Sequence, residues 1–215
     1  MTQVKASSLS ENGKGSTRQA NETRILQAAE RVFAGAGYAG ATMAMIAELA
    51  GLPKANLHYY FGSKQDLYRT VLDRTLREWL APADAIVPTA DPRTALESYI
   101  RDKMRMSAER PHASRVFANE LLHGAPVLSD LLKTTLRDVV IEKAAVIDGW
   151  IAAGRMAPVD STHLFFTIWS ATQTYADFDV QICAVMGSKL LIEADHERAT
   201  QHVVSLVLRG CGLVK

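Results

Sequence analysis

The chain has 215 residues, 48% of them hydrophobic and 22% charged, with a net charge of +1. This composition supplies a core, excludes intrinsic disorder and leaves room for one or two domains. No window holds the roughly 20 consecutive apolar residues of a membrane-spanning helix, and Met1 to Arg18 is polar rather than a secretory leader, so a cytoplasmic protein is expected. Residues 1–65 nevertheless hold seven Lys or Arg against four Glu, while the remainder is slightly acidic. A basic N-terminal part on a near-neutral body suits a DNA reader, although so small an excess does not indicate one by itself.

In chain order, residues 1–16 mix Ser, Gly, Asn and Lys and read as a flexible arm. From Thr17 to Gly37 a helical period runs through Ile25, Ala28, Ala29, Val32 and Phe33 and stops at Gly35-Ala36-Gly37. Tyr38-Ala39-Gly40-Ala41 is then a turn. Thr42 suits an N-cap, and its hydroxyl together with free backbone N–H groups at that helix start suits a phosphate.

The densest stretch is Gly51-Leu52-Pro53-Lys54-Ala55-Asn56-Leu57-His58-Tyr59-Tyr60-Phe61-Gly62-Ser63-Lys64. Gly51 ends one helix, Pro53 fits the first turn of the next, and Gly62 stops it. Leu57 and Phe61 stand one turn apart and face a core, which leaves Lys54, Ala55, Asn56, His58 and Tyr59 on the outer surface. Two short helices around one tight turn make a helix-turn-helix with its recognition helix exposed. Lys54 suits phosphate or guanine, and Asn56 offers a donor and an acceptor to a base edge. Ala55 permits close approach, and His58 and Tyr59 reach backbone oxygens. Ser63 caps the following helix, with Lys64 beside it as a phosphate clamp.

In order and spacing, Thr42, Ile46, Ala47, Ala50, Gly51, Lys54, Leu57, Tyr59, Tyr60, Phe61, Ser63 and Lys64 match the N-terminal motif of the TetR family of transcriptional regulators, which this chain therefore resembles. Pro53 departs from the Ser or Thr that the family usually places as recognition-helix cap. The resemblance implies an all-α, TetR-like protein: a helix-turn-helix domain over residues 17–63 and an effector-binding and dimerisation domain over residues 64–215. It implies a homodimer that binds a near-palindromic double-stranded DNA operator as a repressor, released by a small-molecule effector, with no catalytic residues, metal or cofactor.

Beyond Ser63, a long helix carries Leu67, Val71, Leu72, Leu76, Trp79 and Leu80 at helical spacing as far as Ala81-Pro82. Pro88 to Pro92 reads as a linker. Helical stretches follow at Thr94–Glu109, His112–Leu122 and Val127–Ala153, punctuated by Pro111, Gly124-Ala125-Pro126 and Gly154. No run of period two appears, so the body is all-α. Ser161 to Val185 is apolar nearly all round and reads as one buried helix. A last helix, Ala194 to Leu208, carries Val203, Val204, Leu206 and Val207. By the resemblance these two helices form the dimer interface, where a charge at Val203 or Val207 would give monomers.

Other chemistry is weakly signalled. Cys183 and Cys211 lack metal or redox spacing and read as small buried hydrophobes, and Glu120-x-x-His123 has no second half to complete a metal site. No nucleophile elbow, phosphate loop or helical repeat is present, which argues against an enzyme or a repeat scaffold.

Within the penultimate helical stretch, Trp169, Gln173 and Asp177 fall four apart on one face, with Tyr175 nearby. Either these polar groups are satisfied structurally, by Arg115, by backbone or across a dimer interface, or they line an effector pocket. In the second case a flat ring rests on Trp169 or Trp79 while Gln173 pairs with a C(=O)–NH edge, and Arg115, Tyr175 and Asp177 supply further partners. The body segments Arg110-Pro111-His112-Ala113-Ser114-Arg115, Gly124-Ala125-Pro126 and Ile168-Trp169-Ser170-Ala171-Thr172-Gln173-Thr174-Tyr175-Ala176-Asp177-Phe178 resemble the branch of the family that represses pyrimidine utilisation. That resemblance implies uracil or thymine as effector; the alternative is another small molecule, such as a purine, a different heterocycle or a lipid-like compound.

Overall fold

A computed structural model describes residues 8–214, with side chains from Thr17 onward. The described residues contain helices and no strand, in two units that divide between Val71 and Leu72. The division lies inside the fourth helix rather than at its start.

The first unit is punctuated by glycines at positive φ. Helix α1 (Ser8–Gly40) is broken at Gly37, whose φ of 67° is the left-handed stop expected there. Of the expected arm, residues 1–7 lie outside the described residues, whereas from Ser8 the backbone is already helical. Extending a helix past a glycine costs only about 1 kcal/mol, far less than nucleating a new one, so a composition rich in Gly and Ser does not stop it. Helix α2 (Met43–Ala50) starts at Thr42, whose Oγ1 accepts the Met45 N–H at 3.2 Å, and ends at Gly51 with φ 62°. A Cβ on Gly51 would lie 3.0 Å from a guanidinium nitrogen of Arg24, and that guanidinium donates to the Ala50 carbonyl at 2.7 Å. The close approach thus puts a cation on a free carbonyl at the negative end of α2.

Helix α3 (Lys54–Phe61) follows with Pro53 as an N-cap that makes no side-chain bond, and Gly62 ends it at φ 69°. Leu57 and Phe61 are buried as their spacing demands, in a unit whose core includes Ile25, Phe33, Ile46 and Leu67. Ser63 begins α4 (Lys64–Leu80), its Oγ accepting from the Asp66 N–H at 3.1 Å.

In the second unit, the 3-10 turn Ala81–Ala85 leads to α5 (Pro92–Glu109), capped by Asp91, which accepts the Thr94 N–H at 2.9 Å. Next come α6 (Pro111–Leu122), a one-turn α7 (Ser129–Leu131), the π-helical turn Leu132–Leu136 and α8 (Arg137–Ala152). The helical stretch expected over Val127–Ala153 is thus continuous from Ser129 to Ala152, with the π-helical turn inside it. Glu120 organises its start, accepting the N–H groups of Val127 at 2.6 Å and Leu128 at 3.2 Å, so this buried carboxylate serves the turn.

The expected helix Ser161–Val185 is divided, into α9 (Ser161–Asp177) and α10 (Asp179–Met186), with Phe178 at φ −121°, ψ 30° between them. It is not buried all round either: Phe165 and Ile168 enter the core, while Phe166, Phe178, Val180 and Val185 are exposed. Helix α11 (Glu193–Gly210) closes the unit. Val203 and Val207, expected on a dimer face, belong to the core shared by α5, α8, α9 and α11, and the residue of α11 that faces outward is Leu206, 61% exposed. The apolar stripe of α11 is wide enough to serve its own subunit first. Cys183 and Cys211 are buried and unpaired, as small hydrophobes. No helix among the described residues is long and apolar enough to cross a membrane.

Candidate DNA-reading surface and effector site

Helices α2 and α3 present the polar groups of the first unit. Thr42, Lys54, Ala55, His58 and Tyr59 are exposed, Tyr59 at 74%, and Asn56 is half-buried one turn into α3. His58 is held in place because its Nδ1–H donates to the Gly62 carbonyl at 2.8 Å, which leaves Nε2 for an outside partner. Lys64 is less free than its sequence suggests. Its ammonium donates to the carbonyls of Tyr38 at 2.8 Å and Ala41 at 3.0 Å and lies 4.4 Å from the centre of the Tyr38 ring. An ammonium has three donors, so one remains for phosphate once this clamp across the Tyr38–Ala41 turn is made. Tyr38 in turn packs on Tyr68, ring centroids 4.7 Å apart.

In the second unit, α9 lies against α5, α6 and α8. Trp169, Gln173 and Asp177 fall on one face of α9, as their spacing requires, and the two outer members are already engaged. Trp169 Nε1–H donates to the Tyr99 hydroxyl on α5 at 2.8 Å, and the Asp177 carboxylate accepts the Ser114 hydroxyl on α6 at 2.6 Å. Burial pushes the Tyr99 phenol up to about 12. Burial likewise raises the Asp177 carboxyl above the usual range, countered in part by Ser114 and Arg115. Gln173, between them, is half-buried and makes no hydrogen bond among the described residues.

Two other expected residues stand elsewhere. Arg115 Nε–H donates to the Ala176 carbonyl at 2.9 Å, and its guanidinium pairs with Asp179 at 2.6 Å, so this side chain closes the α9–α10 junction. Tyr175, two residues from Gln173, points away from that face. It lines a groove of about 440 Å³ with Ile182, Val185 and Ala199. Trp79, by contrast, is buried on Phe117 with ring centroids 5.1 Å apart.

Sequence reasoning missed Lys103 on α5, buried with its ammonium 4.6 Å from the centre of the Trp79 ring. A lysine flanked by Asp102 and Met104 reads as surface. The available signal was its place one turn after Tyr99 and one before Ser107, on the buried stripe of α5.

Comparison with known proteins agrees with this architecture. Residues 25–71 match the family model described as bacterial regulatory proteins, tetR family, and residues 72–214 match that of the YcdC-like protein, C-terminal region. The HTH-type transcriptional regulator RutR of Escherichia coli strain K12 is 43% identical over 191 residues, 89% of this chain and 90% of that protein. The HTH-type transcriptional repressor NicS of Pseudomonas putida is 33% identical over 109 residues, about half of each chain. Among solved structures, the TetR family regulator PfmR from Thermus thermophilus superposes with a TM-score of 0.67 at 21% identity, covering 86% of this chain and 94% of its own. A regulatory protein of the tetR family from Rhodococcus RHA1 gives 0.68 at 20% identity, covering 91% and 98%.

Proposed function

The chain belongs to the TetR family, as a ligand-responsive, DNA-binding transcriptional regulator and not an enzyme, and from that premise we propose that it is a cytoplasmic repressor of pyrimidine utilisation whose effector is uracil, thymine or a near relative. One observation carries the effector reading: the Gln173 amide is half-buried and unpartnered between two side chains that are both satisfied. A ligand edge that pairs with this amide replaces its contact with water, and each such hydrogen bond is worth about 0.5–1.5 kcal/mol. Gln is the neutral side chain that donates and accepts together, which matches the C(=O)–NH edge of a pyrimidine dione. The body segments that resemble the pyrimidine-responsive branch of the family support the same reading. Trp79 and Trp169 supply flat walls, Asp177 closes one end, and Arg115 positions that end.

The DNA contacts are assigned to Thr42, Lys54, Ala55, Asn56, His58, Tyr59 and the remaining donor of Lys64. TetR-family regulators bind operators as dimers, and the partner surface proposed for this chain is the outward apolar set Phe166, Val185 and Leu206. Two copies would then meet successive major grooves about 34–36 Å apart on a near-palindrome.

A thermal-shift and calorimetric screen of uracil, thymine, dihydrouracil, purines and fatty acids tests the effector. A pyrimidine at 100 times its dissociation constant adds about 2.7 kcal/mol of stability, a visible rise in melting temperature. Stabilisation by a purine or a lipid alone would replace the pyrimidine with that class.

A further inference from the structure

His58 is exposed on α3, yet its ring is anchored. Gly62 leaves the helix at φ 69°, its N–H donates to the His58 carbonyl at 3.0 Å, and its own carbonyl lies 2.8 Å from the ring Nδ1. Among the described residues this is the one hydrogen bond of the side chain. A carbonyl oxygen only accepts, so Nδ1 carries the proton, and in the neutral ring Nε2 is left with a lone pair. The reciprocal pair with Gly62 thus fixes both the tautomer and the orientation of the ring.

A phosphate oxygen also only accepts, so the neutral ring has no donor to offer the sugar–phosphate backbone. In the major groove the donors are the exocyclic amino groups, adenine N6 and cytosine N4, whereas guanine N7 and O6 and thymine O4 are acceptors. His58 is the fifth residue of a helix that begins at Lys54, one turn after Lys54 on the same exposed face, where a recognition helix meets base edges. The charged groups around it are Lys54 of α3, Lys64 and Asp66 of α4, and Glu48 of α2. Lys64 is held by the Tyr38 and Ala41 carbonyls, and Glu48 lines a groove with Arg24 and Arg31. The Asp66 carboxylate accepts the Ser63 hydroxyl and lies 3.3 Å from where a Cβ on Gly62 would stand. None of these is bonded to the ring, so Nε2 faces outward unclaimed.

We propose that His58 is a base-reading residue, its Nε2 accepting from the amino group of an adenine or a cytosine in each half-site, and that protonation of the ring cancels this reading. The proposal rests on the DNA contacts assigned above and adds a rule of selection to them. Histidine is the side chain that changes charge between about pH 5 and 8, and once it is protonated both ring nitrogens donate. Nε2–H then meets an amino group donor to donor and suits guanine or phosphate instead. Base choice at this one position therefore follows pH, whereas Asn56, which does not titrate, gives no such dependence.

The test uses an operator selected from random DNA by ligand-free wild type at about pH 8. It is remade with purine in place of each adenine and pyrimidinone in place of each cytosine in turn, in both half-sites, so that one kind of amino group is deleted at a time. Anisotropy is then read for wild type, His58→Ala and His58→Gln at about pH 8 and about pH 5.5. At the higher pH one deletion should cost wild type about 2- to 10-fold per half-site and His58→Ala nothing, and at the lower pH the wild-type penalty should vanish. The Gln amide in His58→Gln can donate to Gly62 and present its oxygen, so this variant should keep the discrimination at both pH values. Because His58 is exposed, all three proteins should melt alike. Equal losses in wild type and His58→Ala at every position would overturn the proposal. So would a loss in His58→Ala that is the same on all sequences and grows as pH falls, the mark of an imidazolium on phosphate. Failure of wild type to select any DNA would overturn the DNA-reading surface itself.

Discussion

Gln173→Ala separates recognition from folding, because the amide it removes makes no hydrogen bond among the described residues. We expect melting within about 0.5 kcal/mol of wild type, unchanged operator affinity without ligand, and no response to uracil. Lost operator binding alongside lost response, measured by anisotropy, would make the residue structural. Lys103 gives a pH prediction of definite sign. Its folded value near 7 lies below the ordinary lysine value of 10.5, so between those limits the unfolded chain holds more protons than the folded one and stability rises with pH. Raising pH from 7 to 9 should therefore stabilise wild type relative to Lys103→Met, by at most about 1.4 kcal/mol per unit; parallel melting curves for the two would show that Lys103 is not desolvated. Of these two residues, Gln173 was legible because it sits at four-residue spacing between Trp169 and Asp177. Lys103 was not, because a lysine in a helix is ordinarily solvated and only the neighbouring helices decide that this one is enclosed.

Recognition helix α3 was legible almost to the residue because its limits are local: Gly51, Pro53 and Gly62 act through their own backbone preferences. The break at Phe178 had no such sign, since neither Gly nor Pro marks it. Long-range contacts accompany it instead: Arg115 bonds the Ala176 carbonyl and pairs with Asp179. At the head, Lys64 joins α4 to the turn after Gly37 and so contributes to structure beside the DNA contact proposed for it. Lys64→Ala should cost about 1–2 kcal/mol in denaturant melts, weaken all DNA sequences alike and lower the salt dependence by about one phosphate per half-site. Asn56→Ala, half-buried on α3, should instead relax discrimination at particular bases by about 1–3 kcal/mol; a uniform loss across sequences would remove its base-reading role. The placing of Val203 and Val207 on an outer face of α11 missed for a comparable reason. Four apolar residues in five positions identify a buried helix without saying which of them its own core claims.

Association and allostery belong to the whole molecule. Leu206→Asp or Val185→Asp should give folded monomers by light scattering, with weakened operator binding because one helix-turn-helix reads only half a site. Val203→Asp should unfold the subunit, since that position lies in its own core. Dimeric Leu206→Asp and Val185→Asp proteins would move the interface elsewhere. For uracil to weaken operator binding 100-fold, it must favour the DNA-incompetent state by about 2.7 kcal/mol, and by linkage the operator must weaken uracil equally. The most direct test is fluorescence anisotropy on an operator selected from random DNA by the ligand-free protein, titrated with uracil in wild type and Gln173→Ala. Wild type should release the DNA saturably, at concentrations that match the calorimetric affinity once that linkage is included, while Gln173→Ala stays bound throughout. Persistent binding of wild type at saturating uracil, or equal release by both proteins, would contradict the account.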